Sequence, residues 1–487
     1  MEYKDFLDIY YGGPETTFKL FLKVIETNAL LAKQVRLLSE KVTLQEERIK
    51  ELSARLNKNS GNSSKPPSTD EFIKPKSTRK KSGKPSGGQK GHKGDTLKMT
   101  DTPDNIVNHR IKTCRGCGHS LEEVPPQGVE KRQVFDLPPL KIKVTEYQAE
   151  SKVCPCCGLK NKASFPEGVR LPVQYGDNLK AFLVYLNQYQ MTPYKRAVEL
   201  IQDVYGHRLS QGTMFNAIFA VYEVLEPVEE EIINLLVGAS VVHLDETGIR
   251  VADKRQWLHV ISTETLTYYA HHGKRGSKAT DEIGILPRFK GLIVHDFWKP
   301  YLKYDCGHAL CNAHHLRELT GILELNQQKW PQEMIELLLE IKATVEERKI
   351  MATELKADEI KSLEQRYDRI IEKGYLENPP PAKPLEKKKG RKKQSKAKNM
   401  LDRLKEHRRE TLAFMYNFDV PFDNNLAERD LRMIKVKQKI SGIFRSNQGA
   451  KMFCRVRGYI SMARKNSIPI LDAIKSALGG KPFVPEF

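Results

Sequence analysis

With 487 residues and 39% apolar content, the chain is long enough for two or three domains with real cores. Its 81 Lys and Arg outnumber 61 Asp and Glu, and the resulting formal charge of +20 points to a polyanionic partner. No apolar run approaches the roughly 20 residues of a spanning helix, and the first residues are acidic and aromatic rather than basic then apolar. Membrane and exported classes are therefore set aside, and a cytoplasmic location is expected.

Phe21, Val24, Asn28, Leu31, Val35, Leu38, Val42, Gln45, Ile49, Leu52 and Leu56 step alternately by three and four. That spacing predicts a coiled coil over residues 15–57, with the amides of Asn28 and Gln45 fixing register and a low oligomer number. A homodimer is the expected assembly. Residues 58–110 follow as a basic flexible linker. Residues 58–98 hold eleven Lys and Arg against three acids, and residues 383–398 hold nine against one, so two segments carry sixteen of the twenty net charges. Such blocks repel themselves until they meet a polyanion, and nucleic acid is the natural one.

Residues 111–170 read as a zinc ribbon. Cys114-Arg115-Gly116-Cys117-Gly118 and Cys154-Pro155-Cys156-Cys157-Gly158 each place two thiols three residues apart around a turn-forming glycine. Cys114, Cys117, Cys154 and Cys157 are the expected ligands of a structural zinc, with Cys156 the alternative partner of Cys154. Gln133–Asp136 and Leu140–Tyr147 carry β-like patterns between them.

From residue 175 to 235 the pattern turns helical. Gly206 breaks the segment Tyr194–Ile218, and Ser210 can cap Gln211–Phe219. This reads either as a helix-turn-helix, with Gln211, Thr213 and Asn216 facing a DNA groove, or as a helical bundle bracing a neighbouring core.

Four short segments then read as strands: Val241–Leu244, Trp257–Ser262, Leu266–His271 and Gly291–Val294, the first three antiparallel. A fifth leads into a helix near His314 and Arg317, which lie three apart on one face and are expected to contact phosphate. Asp245 ends the first run, Asp296 ends the fourth, and Glu428 opens a later basic helix. Three acids on this framework outline a ribonuclease-H-like core in two parts, 238–320 and 416–487. Carboxylates so placed suit two Mg²⁺ ions that serve phosphodiester chemistry. Cys306, His308, Cys311, His314 and His315 crowd the intervening segment and read as active-site support, core packing or a second zinc.

Residues 321–415 exceed what the core requires and form an expected α-helical insertion, with Met334, Leu337, Leu338, Ile341 and Val345 on one face and a basic loop at 383–398. Beyond it Asn424, Glu428, Arg432 and Lys435 share a helical face, so that Arg429, Arg432 and Lys435 put cations beside the acid. The fold class expected is multidomain α/β: a ribonuclease-H-like catalytic core with an α-helical insertion, preceded by a coiled coil and a zinc ribbon.

Several words in the chain carry a family resemblance. His243-Leu244-Asp245-Glu246-Thr247-Gly248, His295-Asp296-Phe297-Trp298-Lys299-Pro300-Tyr301, Leu310 through Leu319 and Asp423 through Arg432 resemble the transposases of the insertion-sequence-sixty-six family, as do Asn62 through Ser68 and Gly87 through His92. The resemblance implies a DDE transposase with Asp245, Asp296 and Glu428 as catalytic acids. It further implies action on the ends of the protein's own element, association with the nucleoid, and small accessory proteins encoded beside it. Two rivals share parts of the pattern: a DNA-binding regulator, and a nuclease of the same core fold that hydrolyses without joining.

Overall fold

The computed structural model describes residues 3–63, 96–326, 328–379 and 394–485. In chain order the elements are α1 (Tyr3–Tyr11), α2 (Gly13–Leu56), β1 (Ser151–Val153), β2 (Lys160–Lys162), α3 (Asp177–Val184), α4 (Tyr194–Tyr205), α5 (Gln211–Val224), α6 (Glu226–Gly238), β3 (Val241–Val251), β4 (Lys254–Ser262), β5 (Thr267–His272) and α7 (Ser277–Ile283). They continue with β6 (Leu292–His295), β7 (Gly307–Leu310), α8 (Asn312–Asn326), α9 (Trp330–Arg348), α10 (Ala357–Glu377), α11 (Lys396–Glu406), α12 (Arg408–Thr411), α13 (Ala413–Tyr416), α14 (Asn425–Ser441), α15 (Asn447–Lys465) and α16 (Ile470–Leu478). The chain divides into two compact units. One comprises Met1–Lys76, Ile232–Ile249 and Arg255–Met433, the other Ser77–Glu231, Arg250–Lys254 and Ile434–Phe487.

The first unit is organised by a five-stranded sheet of order β5-β4-β3-β6-β7. β3 and β4 are joined through Ala252 and Asp253, both left-handed with φ of 46° and 62°, the two-residue turn that folds a hairpin back on itself. β4 and β5 are antiparallel, whereas β3, β6 and β7 run parallel. β3 extends well past the predicted Leu244, to Val251, because its second half still pairs with β4 where the apolar run has ended.

Gly291 decides where β6 begins. A Cβ there would stand 2.6 Å from the carbonyl oxygens of both Ala239 and Ser240, so only glycine lets Leu292 N–H reach Ser240 O at 2.8 Å.

On one side of this unit α8 to α13 form a helical layer, whose buried core includes Trp330, Met334, Leu337, Leu338, Ile341, Tyr367, Met400 and Leu401 and reaches Val294 and Ala309 of the sheet. The helical face predicted from Met334 to Val345 is the buried face of α9. α9 and then α10 run up to Asn378. Of the basic loop, residues 383–393 lie outside the described residues, and Lys396–Lys398 open α11 instead of belonging to a loop. Truncating a large member of this core, such as Leu338→Ala, would cost about 2 to 5 kcal/mol.

α2 spans 44 residues, about 66 Å at 1.5 Å per residue, and every described residue from Phe21 to Leu56 is exposed. The seam residues Val24, Leu31, Val35, Leu38, Val42 and Ile49 thus form an apolar stripe on solvent. Most of the predicted linker, residues 64–95, lies outside the described residues, including the word Gly87–His92.

In the second unit α3, α5, α15 and α16 pack together. α4 ends on left-handed Gly206, and the Ser210 hydroxyl accepts the Thr213 N–H at 3.0 Å, so the predicted break and cap stand where the residues placed them. The β-like patterns at Gln133–Asp136 and Leu140–Tyr147 do not form strands. The pairing in this region is instead the short hairpin of β1 and β2, with Ser151 opposite Lys162. Segments 133–136 and 140–147 are almost entirely exposed, so their alternation has no buried face to serve.

Candidate active site

Parallel pairing brings the first two acids level. His243 lies opposite Val294 in the β3–β6 register, so two steps further Asp245 stands beside Asp296, at the point where both strands leave the ladder. Phe297 follows with φ of 66°, a left-handed conformation that a bulky residue adopts only under constraint. This sharp turn lets the Trp298 N–H reach Asp296 Oδ1 at 3.2 Å. Asp245 Oδ1 accepts the Glu246 N–H at 2.7 Å.

The third acid arrives from far along the chain, and Asn424 brings it. This buried amide donates from Nδ2 to Leu244 O at 2.7 Å, and its Oδ1 lies 2.8 Å from His243 Nδ1. Since Nδ2 donates, Oδ1 accepts, and the Nδ1–H tautomer of His243 is the one that fits. The Asn424 N–H also meets Cys311 Sγ at 3.2 Å, and Asn312 N–H donates to Phe422 O at 3.1 Å. The start of α14 is thereby pinned to the first half of β3 and the end of β7, and Glu428 follows one turn later on the same side as Asn424.

Charge records the convergence. Burial pushes Asp245 well above the usual carboxylate range, and the charges of Glu246, Asp296 and Glu428 raise it further. Asp296 is pushed up to about 6 by burial and by Glu246, against the opposing pull of Arg275. Burial also raises Glu428, opposed by Arg317, whose Nη2 lies 3.4 Å from Glu428 Oε1. The three oxygen donors do not form one tight knot: among the described residues, the group whose donor atoms all lie within 4.8 Å of one another is Cys311, His314 and Glu428. Two cations about 3.5 to 4 Å apart need no such knot, because each acid meets an ion rather than the other acids. Partly buried carboxylates, with Asp245 raised by the charges of the other two, are a donor set fitted to hard divalent ions, whose charge would relieve that repulsion.

A fourth acid, Glu246, is held differently. Its side chain is 2% exposed; Oε1 accepts from Arg275 Nε and Nη2 at 2.8 and 2.5 Å, and Oε2 accepts from Tyr301 OH at 2.6 Å. The Arg275 guanidinium lies over the rings of Trp257 and Trp298, 5.0 and 4.5 Å from their centroids. With both oxygens occupied, Glu246 is held in place beside Asp245 and Asp296, both of which its charge raises. The sequence words contain Glu246 and Tyr301, but nothing in the spacing singles out Arg275, and Asn424 reads there only as one position on a helical face.

Of the crowded Cys/His segment, His308 Nδ1 stands 3.2 Å from His295 Nε2, and His315 is buried with Nδ1 3.1 Å from Asn312 Oδ1. Cys311 and His314 lie with Glu428. Burial drives His295, His314 and His315 down to about 3, so all three imidazoles are neutral at physiological pH.

Arg429 and Arg432 are exposed on α14, as is Lys435, which falls in the second unit. Gln211 and Asn216 are exposed on α5, while Thr213 is partly covered and its N–H serves the Ser210 cap.

The two cysteine turns are near copies. Cys114 N–H donates to His119 O at 2.8 Å and Gly118 N–H to Cys114 O at 3.0 Å; Cys154 N–H donates to Leu159 O and Gly158 N–H to Cys154 O, both at 2.9 Å. Gly118 and Gly158 have φ of 74° and 72°, the left-handed conformation that closes each turn. Backbone N–H groups of Cys117 and Cys157 aim at Cys114 and Cys154 and hold both thiols below their ordinary value. Each turn is built as a thiol pair, and the four sulfurs are not gathered into one group.

No helix among the described residues is long and apolar enough to cross a membrane. Comparison with known proteins matches residues 172–452 to the model described as Transposase IS66 family, residues 112–158 to the zinc-finger binding domain of transposase IS66, and residues 22–98 to a family of unknown function, DUF6444. No curated protein matches the chain. Because the first model covers more than half of the sequence, and the zinc-finger model covers both cysteine turns, the chain belongs to the IS66 family of transposases.

Proposed function

We propose that the protein binds the ends of its insertion sequence, cleaves them to give 3′-hydroxyls and joins those ends to target DNA, with Asp245, Asp296 and Glu428 as the catalytic acids. The observation that supports this reading is that buried Asp245 of β3 is raised by the charges of both Asp296, which follows β6, and Glu428 of α14. The mixed sheet order β5-β4-β3-β6-β7, with acids after the central parallel pair, supports a ribonuclease-H-like core over 238–320 and 416–487 and a helical insertion at 321–415. Two Mg²⁺ ions held there would activate the attacking oxygen and stabilise the leaving one. Asp245, Asp296 and Glu428 would hold those ions, and Asp245 is the acid raised by the charges of both others. Glu246 stays locked to Arg275 and Tyr301, and fixes the stretch of β3 that carries Asp245.

His314, Arg317, Arg429, Arg432 and Lys435 are assigned to the DNA backbone, and Gln211 and Thr213 of a helix-turn-helix within 175–235 to the element end. The zinc-finger cysteines Cys114, Cys117, Cys154 and Cys157 close on one structural zinc, with the thiol pairs of two preformed turns as its halves. The exposed stripe of α2 supports a coiled-coil homodimer over 15–57, which brings two element ends together. The 58–110 linker adds a basic tether for DNA in the cytoplasm and nucleoid, and accessory proteins of the same element complete the machinery.

The test is Asp245→Asn. It should abolish magnesium-dependent cleavage of element-end DNA, a loss of about 10³-fold or more, while end binding by gel shift stays within about twofold. Loss of binding instead would make Asp245 a structural residue.

A further inference from the structure

Cys311 and His314 stand with Glu428, one of the three acids, as a group of mixed donors. Cys311 precedes α8, His314 lies in its first turn, and Glu428 comes from α14; one donor atom from each lies within 4.8 Å of the other two. His314 Nδ1 is buried with no hydrogen-bond partner and faces Glu428 Oε1 at 3.9 Å. A buried imidazole nitrogen left so is costly unless something occupies it. Burial pushes the Cys311 thiol up to about 12, and the Asn424 N–H that donates to its Sγ at 3.2 Å opposes that shift.

Sulfur, imidazole nitrogen and one carboxylate oxygen form a donor set for a thiophilic ion, not for magnesium. Three protein ligands leave a fourth position open, unlike the closed set that two cysteine pairs can offer. We propose that Cys311, His314 and Glu428 bind a divalent ion of the zinc class, apart from the zinc-finger ion, and that its binding withdraws Glu428 from the acid trio. On binding, the Cys311 proton leaves to solvent and sulfur takes its place on the metal. Arg317, 3.4 Å from Glu428 Oε1, opposes a dication there, as does the positive charge of Arg403 near His314. The site is therefore weaker than the zinc finger and exchanges its ion. The inhibitory consequence rests on the catalytic role proposed for Glu428; the site itself does not.

Zinc bound to the full chain is counted by competition with a chromogenic chelator. The wild type should hold a tight ion and a second, weaker one. Cys311→Ser and His314→Gln should each lower affinity for the weaker ion about 100-fold and spare the tight one, whereas Cys114→Ser should do the reverse. Unchanged thermal melting identifies variants that fold. A single ion in the wild type, or a weaker ion that survives in both folded variants, overturns the site. In a second arm, cleavage of end DNA in magnesium is compared with and without micromolar zinc. Zinc should slow the wild type at least about tenfold and leave the rate ratio of Cys311→Ser near one. If the stoichiometry behaves as stated but zinc leaves cleavage unchanged, the metal site stands and the assignment of Glu428 to the catalytic trio falls.

Discussion

The three acids proposed to hold magnesium and the two cysteine turns of the zinc finger are built on opposite principles. Each cysteine turn closes within five residues through its own backbone bonds and one left-handed glycine. The acid site joins positions 245, 296 and 428 through a parallel strand register and a single buried amide, Asn424. A short-range turn carries its geometry with it. A site made from remote segments depends on every contact that brings them together, and its weak points lie at residues that touch no substrate.

That contrast can be broken by mutation. Arg275→Ala leaves Glu246 buried and charged without its ion pair. Because the Arg275 side chain is 41% exposed, the loss should sit near the low end for a broken buried pair, about 3 kcal/mol by denaturant unfolding. A midpoint unchanged from wild type would show that the pair does not hold the stretch of β3 that carries Asp245. Asn424→Ala should come next. It strips partners from His243 and Leu244 O, costs about 1 to 3 kcal/mol, and by loosening Glu428 should slow cleavage about 100-fold with end binding preserved. If cleavage persists at the wild-type rate, α14 is positioned by something else.

The acids also predict a pH signature. The folded-state value of Asp296, about 6, lies above its ordinary 3.8, so the folded chain holds the extra proton between those values. Stability of the metal-free protein should therefore fall as pH rises through that window and level off above it, with Asp245 and Glu428 adding to the same trend. Melting temperatures in chelator should show this slope, Asp296→Asn should flatten it, and magnesium should restore stability above pH 6. A wild-type curve parallel to that of Asp296→Asn would remove the basis for the repulsion. The smallest effect should come from the cysteine turns. Cys154→Ser should release the zinc-finger ion while Cys156→Ser keeps it, and neither should move the melting of the unit that contains the acids by more than about 1 kcal/mol. The opposite order would make Cys156 the ligand.

Much of this molecule was legible because short-range physics dictates it. Apolar runs of four to six residues became β4, β5 and β6, Gly206 and Ser210 marked a helix end and a helix start, and the three- and four-residue steps of Val24 to Ile49 became one long helix with an exposed stripe. Patterns without a partner surface misled: the alternation at 140–147 has no sheet to join, and the end of an apolar run at Leu244 did not end β3, because pairing with β4 continues it.

By itself, the order of residues determined which groups are available: three acids on strand and helix ends, two thiol pairs on glycine turns, and a basic excess suited to DNA. Only the tertiary structure decided which of them meet. The burial of Glu246 against Arg275 and Tyr301, the clamp of Asn424 on His243 and Leu244, and the grouping of Cys311 and His314 with Glu428 all join positions tens to hundreds of residues apart. Periodicity reports the neighbours of a residue along one element, whereas these contacts depend on the strand register and on packing between elements, which no local pattern encodes.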